Sequence, residues 1–242
     1  AGMPRTTVTN PNRERGTAFG RWVAQHHQSK RWWRVSLSQT VTKRPPFDWH
    51  VEMNYDMNRR DDRFGGSVVA RAQFAGEVIA EARKRVGPDY PIILRISQWK
   101  QQDYSARLTE TPEEFGQFLQ VFADAGVSCI HCSQRRYWEP EFPDVDGENG
   151  LNTAGWAKKL TGLPTITVGS VGLSAEFTGS FRGEGSKTRP LDDLIPRLEK
   201  GEFDLVAVGR ALLQDPEWAS KVKEGRQDEL RDYDGAALAT LY

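Results

Sequence analysis

Two short apolar runs end abruptly in small residues, and these are the positions best suited to hold an anion. The first is Thr165-Ile166-Thr167-Val168-Gly169-Ser170-Val171-Gly172, and the second is Asp204-Leu205-Val206-Ala207-Val208-Gly209-Arg210. A β-branched run stopped by glycine is how a buried parallel strand hands the chain to a loop at the carboxyl edge of a sheet. Gly169 and Gly209 let backbone N–H groups approach a charged group with no Cβ in the way, and Arg210 adds a fixed positive fork. The chemistry implied is phosphate binding. The plainer alternative is two buried strands with ordinary glycine turns.

Cys129 and Cys132 are the only cysteines, set as C-x-x-C in Ser128-Cys129-Ile130-His131-Cys132-Ser133. On a strand, residues three apart point to opposite faces, so the pair can neither share a metal nor close an unstrained bridge. Two free thiols in a reducing compartment follow, with no metal site and no thioredoxin-like redox pair. Arg95, inside Ile92-Ile93-Leu94-Arg95-Ile96, is a charge in an apolar run and calls for a buried partner. An anionic cofactor or a neighbouring carboxylate would serve.

The elements that must position these residues alternate regularly from residue 66 onward. A helix is expected over 66–86, ended by Gly87-Pro88. A second starts at Thr111-Pro112-Glu113-Glu114, with Thr111 as N-cap and Gly126 as its stop. Strands are expected at 91–97, 127–133, 165–169 and 205–209, with helices near 152–160, 191–200 and 211–223, the last broken at Asp215-Pro216. Strand and helix in repeated alternation require a parallel sheet with right-handed crossovers. In barrels of this kind the last two strands hold phosphate. A long loop, 134–150, is rich in acids and aromatics.

With 242 residues, the chain suits one large α/β domain or a smaller one with an appendage. Lys and Arg balance Asp and Glu at 33 each, but residues 1–50 hold nine basic residues against Glu14 and Asp48. That segment also carries Trp22, Trp32 and Trp33, a mixture that can bind nucleic acid. It reads better as a poorly structured arm, with no nucleic-acid partner. No apolar run approaches the ~18 residues of a membrane span and nothing resembles a signal peptide, so a cytoplasmic protein without a membrane partner is expected. Ala1-Gly2 ahead of Met3 reads as an addition. Residues 1–57 show no convincing strand and one potential helix near 18–28. The expected division is a basic, Trp-containing segment at 1–57 and a barrel-derived portion at 58–242.

From about Met57 to Tyr242 the chain resembles the carboxyl-terminal half of the Old Yellow Enzyme family, in particular bacterial members similar to 12-oxophytodienoate reductases and NADH:flavin oxidoreductases. The likeness is carried by Asn58-Arg59-Arg60-Asp61-Asp62-Arg63-Phe64-Gly65-Gly66-Ser67, by Leu94-Arg95-Ile96-Ser97-Gln98-Trp99-Lys100 and by both glycine-ended strands. It implies a (β/α)8 TIM barrel, of which strands five to eight are recognisable here. It also implies FMN as cofactor, NAD(P)H as reductant and an enone or related alkene as substrate. By resemblance, Arg95 lies by the flavin N1/O2 edge, Gly169, Ser170 and Val171 form the strand-seven phosphate loop, and Gly209 with Arg210 forms the strand-eight one. The Asn58–Gly66 segment is a structural turn without chemistry. The family's substrate-binding histidine pair has no counterpart near His50. Tyr104 is the candidate for its proton-donating tyrosine, or else a surface aromatic. A truncated, fused or frame-shifted reading frame would account for residues 1–56. Four strands leave two open edges, so closure by the first segment or by a second copy, giving a homo-oligomer, is expected. The alternative to a working flavoprotein is a non-catalytic, self-associating half-barrel.

Overall fold

The computed structural model describes residues 58, 60–100, 105–180 and 183–239, with the backbone of two short strands at 36–38 and 48–50. The chain divides into two compact units, residues 1–90 and 91–242.

In the first unit, β1 (Ser36–Ser38) pairs antiparallel with β2 (Asp48–His50), Leu37 opposite Trp49. No strand is expected here from the sequence, because three-residue strands are too short to display an alternation. The expected helix near 18–28 lies outside the described residues. Helix α1 (Val68–Val86) starts at Ser67, whose Oγ accepts the Ala70 N–H at 3.2 Å. It ends where the Arg83 guanidinium donates to the carbonyls of Gly87 and Tyr90. The turn before it is structural. Asn58 Nδ2 donates to the Phe64 carbonyl at 2.9 Å, and the Phe64 ring meets Phe74 edge to face.

The second unit is built on a four-stranded parallel sheet in sequential order: β3 (Ile93–Ile96), β4 (Cys129–Ser133), β5 (Thr165–Val168) and β6 (Leu205–Val206). Helix α2 (Pro112–Asp124) follows β3. Its N-cap, Thr111, accepts the Glu114 N–H, and Pro112 occupies the first turn, where its missing N–H costs nothing. Phe115, Phe118, Leu119 and Phe122 recur at helical spacing and are fully buried. Each contributes about 1.5 to 3 kcal/mol by leaving water.

After β4 come one helical turn, α3 (Pro143–Asp146), and then α4 (Thr153–Thr161), which packs on β4, β5 and α2. The helix-covered face of the sheet is dense: Ile96, Ile130, Cys132, Thr165 and Thr167 are all buried. Short helices α5 (Phe177–Ser180), α6 (Leu194–Glu199), α7 (Arg210–Gln214) and α8 (Trp218–Lys223) complete the unit. The break between α7 and α8 falls at Asp215-Pro216, as expected, and is closed by a buried ion pair, Lys221 Nζ to Asp215 Oδ2 at 2.7 Å.

Two expectations fail on the other face. The run ending at Gly209 is not a buried strand over 205–209: the ladder covers only Leu205 and Val206, and Leu205 is 57% exposed. Among the described residues β6 is an outer strand, with a partner on one side alone. Nor is Arg95 buried. It and Ile93, which is 56% exposed, project from the face opposite the helices, at the outer strand β3.

Candidate functional site

The ends of β4, β5 and β6 carry the polar residues. Continuing the β5–β6 register, in which Ile166 meets Leu205 and Thr167 meets Val206, sets Gly169 level with Val208 and next to Gly209. Gly169 has φ 152° and Ser170 φ 50°, the latter in the left-handed region that side chains other than glycine rarely adopt. Three bonds hold this conformation. Ser170 Oγ is 3.2 Å from the Arg135 carbonyl and 3.0 Å from that of Ala175, and the Tyr137 N–H donates to the Gly169 carbonyl. Among the described residues, no acceptor meets the backbone N–H of Ser170, Val171 or Gly209. Val171 is buried as a whole, Ser170 is half-buried and Gly209 is exposed. Gly209 sits at the N-cap of α7 with no side chain to satisfy the first turn. Free N–H groups of this kind are donors that an anion can use.

Arg210 is buried, and its guanidinium donates to the carbonyls of Glu176 at 3.0 Å and Ala175 at 2.6 Å. The rings of Phe177 and Tyr233 lie against it. It therefore secures the segment that in turn secures Ser170. Arg95 lies on the face of the sheet opposite the helices, with Nη2 donating to Ser133 Oγ at 3.0 Å. Its register partner on β4 is His131. The imidazole Nε2 is buried and meets no hydrogen-bond partner among the described residues. Burial, helped by the Arg95 charge, pushes the His131 pKa down to about 4. Tyr104 lies outside the described residues.

Cys129 and Cys132 are both free and buried, on opposite faces of β4, and burial raises both thiol pKa values. Among the described residues no cluster of three or more His, Cys, Asp or Glu side chains could hold a metal.

Sequence reasoning misses the polar framework behind the Gly169 loop. Asn152, fully buried, donates to the Tyr137 carbonyl at 2.8 Å and to Thr167 Oγ1 at 3.2 Å, while its Oδ1 caps α4 at the Gly155 N–H. Arg197 donates to the carbonyls of Tyr137 and Gly150. The buried Tyr137 hydroxyl donates to Asp193, which also receives Arg189, and burial with that neighbouring carboxylate raises the phenol pKa. A cavity of about 120 Å³ opens between the loops after β3 and β4, lined by Gln98, Arg107, Gln134, Arg136, Glu141 and Thr153 among others. Within it, Glu141 accepts from Arg107 at 2.5 Å and from Thr153. Those partners favour its charged form, but burial outweighs them and raises its pKa.

Residues 53–229 match the NADH:flavin oxidoreductase / NADH oxidase family. The chain belongs to that family. It is 35% identical over 181 residues to an NADH oxidase of Thermoanaerobacter brockii, covering 72% of this chain and 24% of that protein. It is 30% identical over 173 residues to an NADPH dehydrogenase of Bacillus velezensis, covering 72% and 44% respectively. Among solved structures it is similar to a 2-naphthoyl-CoA reductase complex, with TM-score 0.51 and 19% identity over 76% of this chain and 25% of that one. The amine oxidase HisD of Pseudomonas geniculata gives TM-score 0.50 and 19% identity over 74% and 24%. These two likenesses concern the fold. The chain thus spans between about a quarter and under half of the length of these curated relatives. Its sheet is part of a (β/α)8 barrel, and the family is one of FMN-dependent oxidoreductases that use NAD(P)H.

Proposed function

We propose that this chain is the portion of an FMN-dependent ene-reductase that holds the cofactor's phosphate and one edge of its ring. One observation carries the reading. Ser170, Val171 and Gly209, whose N–H groups meet no acceptor among the described residues, follow the ends of adjoining strands, and Arg95 stands on the face of the same sheet opposite the helices. A phosphate dianion fits the first group and an electron-rich ring edge fits the second.

Bound FMN would supply the hydride-transferring ring, taking hydride from NAD(P)H and giving it to an activated alkene such as an enone. The residues of this chain bind and orient. Gly169 brings the backbone close, Ser170 and Val171 donate through N–H groups, and Gly209 adds its own N–H. Arg210 braces the cradle from behind and adds positive charge. Arg95 favours negative charge on the ring edge. The free thiols suit a cytoplasmic setting.

The test is titration of the chain with FMN, followed by quenching of flavin fluorescence and by competition with inorganic phosphate. Quenching that phosphate relieves is expected. A chain that leaves flavin fluorescence untouched overturns the proposal.

The exposed Ile93 and Leu205, on the two outer strands, favour one further reading, a half-barrel that self-associates. Two copies related by a two-fold axis would place β6 of each beside β3 of the other. Association together with flavin binding makes a homo-oligomeric flavoprotein, whereas association without it leaves a non-catalytic assembly.

A further inference from the structure

Arg95 and His131 are register partners on adjacent parallel strands, so their side chains leave the sheet on the same face. Ser133, two residues beyond His131, shares that face and receives Arg95 Nη2. The imidazole of His131 is a polar group that the described fold leaves unused, since its Nε2 is shut away from water and no donor or acceptor among the described residues meets it. A leucine would fill the volume without stranding a polar atom. Thr165 Oγ1 on β5 and Trp218 Nε1 beside Gly172 are also buried without a hydrogen-bond partner among the described residues, but neither is level with Arg95, and the longer polar side chains near the sheet's carboxyl edge are bonded. Gln98 bonds Thr109, Gln134 bonds Thr167 and the Thr153 N–H, and Glu141 bonds Arg107 and Thr153.

We infer that His131 is a cofactor-binding residue, its Nε2 meeting the pyrimidine edge of the flavin ring beside Arg95. The inference rests on the reading of Arg95 given above. Neighbouring strands stand about 4.8 Å apart, and the ring edge alternates carbonyl oxygens with nitrogens, so two side chains at that spacing reach atoms two places apart on it, such as its two carbonyl oxygens. Arg95 already supplies the positive charge. Burial and that charge keep the imidazole neutral, which lets it offer a hydrogen bond without a second, repelling cation.

The experiment compares the full chain with H131L, H131Q and R95M. Two quantities are read: FMN affinity by fluorescence quenching, and the midpoint potential of bound flavin by equilibration with reference dyes. H131L is expected to weaken FMN about three- to tenfold and to shift the potential, with H131Q retaining most of both. R95M should weaken binding and lower the potential. In parent chain labelled with ¹⁵N-histidine, the Nε2 resonance that disappears in H131Q should move on addition of FMN, a reading that needs no variant to stay folded in complex. A parent chain that binds no FMN overturns the proposed function and this inference with it. If R95M leaves both quantities unchanged, the reading of Arg95 fails. If R95M acts while H131L changes neither quantity, or the resonance stays in place, the inference about His131 alone is overturned.

Discussion

A Cβ on Gly169 would lie 2.6 Å from the carbonyl oxygen of Gln134, a backbone atom that has no rotamer by which to retreat. The loops after β4 and β5 are thus in contact at main-chain level. Gly169→Ala should destabilise the chain by about 1 to 3 kcal/mol through overpacking alone, lowering the thermal midpoint by several degrees, and should weaken FMN. A melting curve that superimposes on that of the parent would show that the loop relaxes freely.

Arg210 has two separable contributions, its bonds to the Ala175 and Glu176 carbonyls and its charge. Arg210→Ala removes both and should weaken FMN about tenfold or more. Arg210→Lys keeps the charge but not the fork, and should fall between the two. Fluorescence titration of the three proteins checks the order. Equal affinities would remove Arg210 from the cradle.

Glu141 makes stability depend on pH in a definite direction. Burial raises its pKa in the folded chain above the ordinary 4.5. The native state then binds more protons than the unfolded one, so this contribution is present below about 4.5 and is lost as pH rises toward the folded value. Glu141→Gln abolishes the titration. The stability difference between parent and variant should therefore move in favour of the variant as pH increases from about 4.5, measured by urea denaturation at several pH values. A difference that moves the other way would mean that Arg107 and Thr153 outweigh burial.

Ile93 and Leu205 expose apolar surface at the outer strands. Replacing both with lysine should reduce self-association, as charges on edge strands do elsewhere. Light scattering over a concentration series checks this, the parent showing a mass above that of one chain and the double variant a lower one. A monodisperse monomer for the parent would remove the self-associating reading.

Where local chemistry decides an element, the sequence is legible. Thr111-Pro112 and Ser67 start helices as their side chains require, and Asp215-Pro216 divides α7 from α8. The parallel order of the four strands also follows from their alternation with helices. Legibility fails where a property depends on what lies opposite. Leu205 and Ile93 have the composition of buried strand residues, yet their exposure is set by position at the sheet's edges. His131 is visible in the sequence only as the middle of a cysteine motif, because its relation to Arg95 depends on a register between strands 36 residues apart. Asn152, Asp193 and Arg197 bond to Tyr137 across separations of 15, 56 and 60 residues, and no local pattern announces such pairs.

Because Asn152 joins Tyr137, Thr167 and the start of α4, the long loop after β4 cannot peel away without disturbing β5. Amide protons at Tyr137, Thr153 and Gly155 should then exchange with solvent at rates close to those of the neighbouring strand, as one cooperative opening. The cradle's ordering is completed when the chain folds, so a ligand arriving there has little backbone entropy left to suppress.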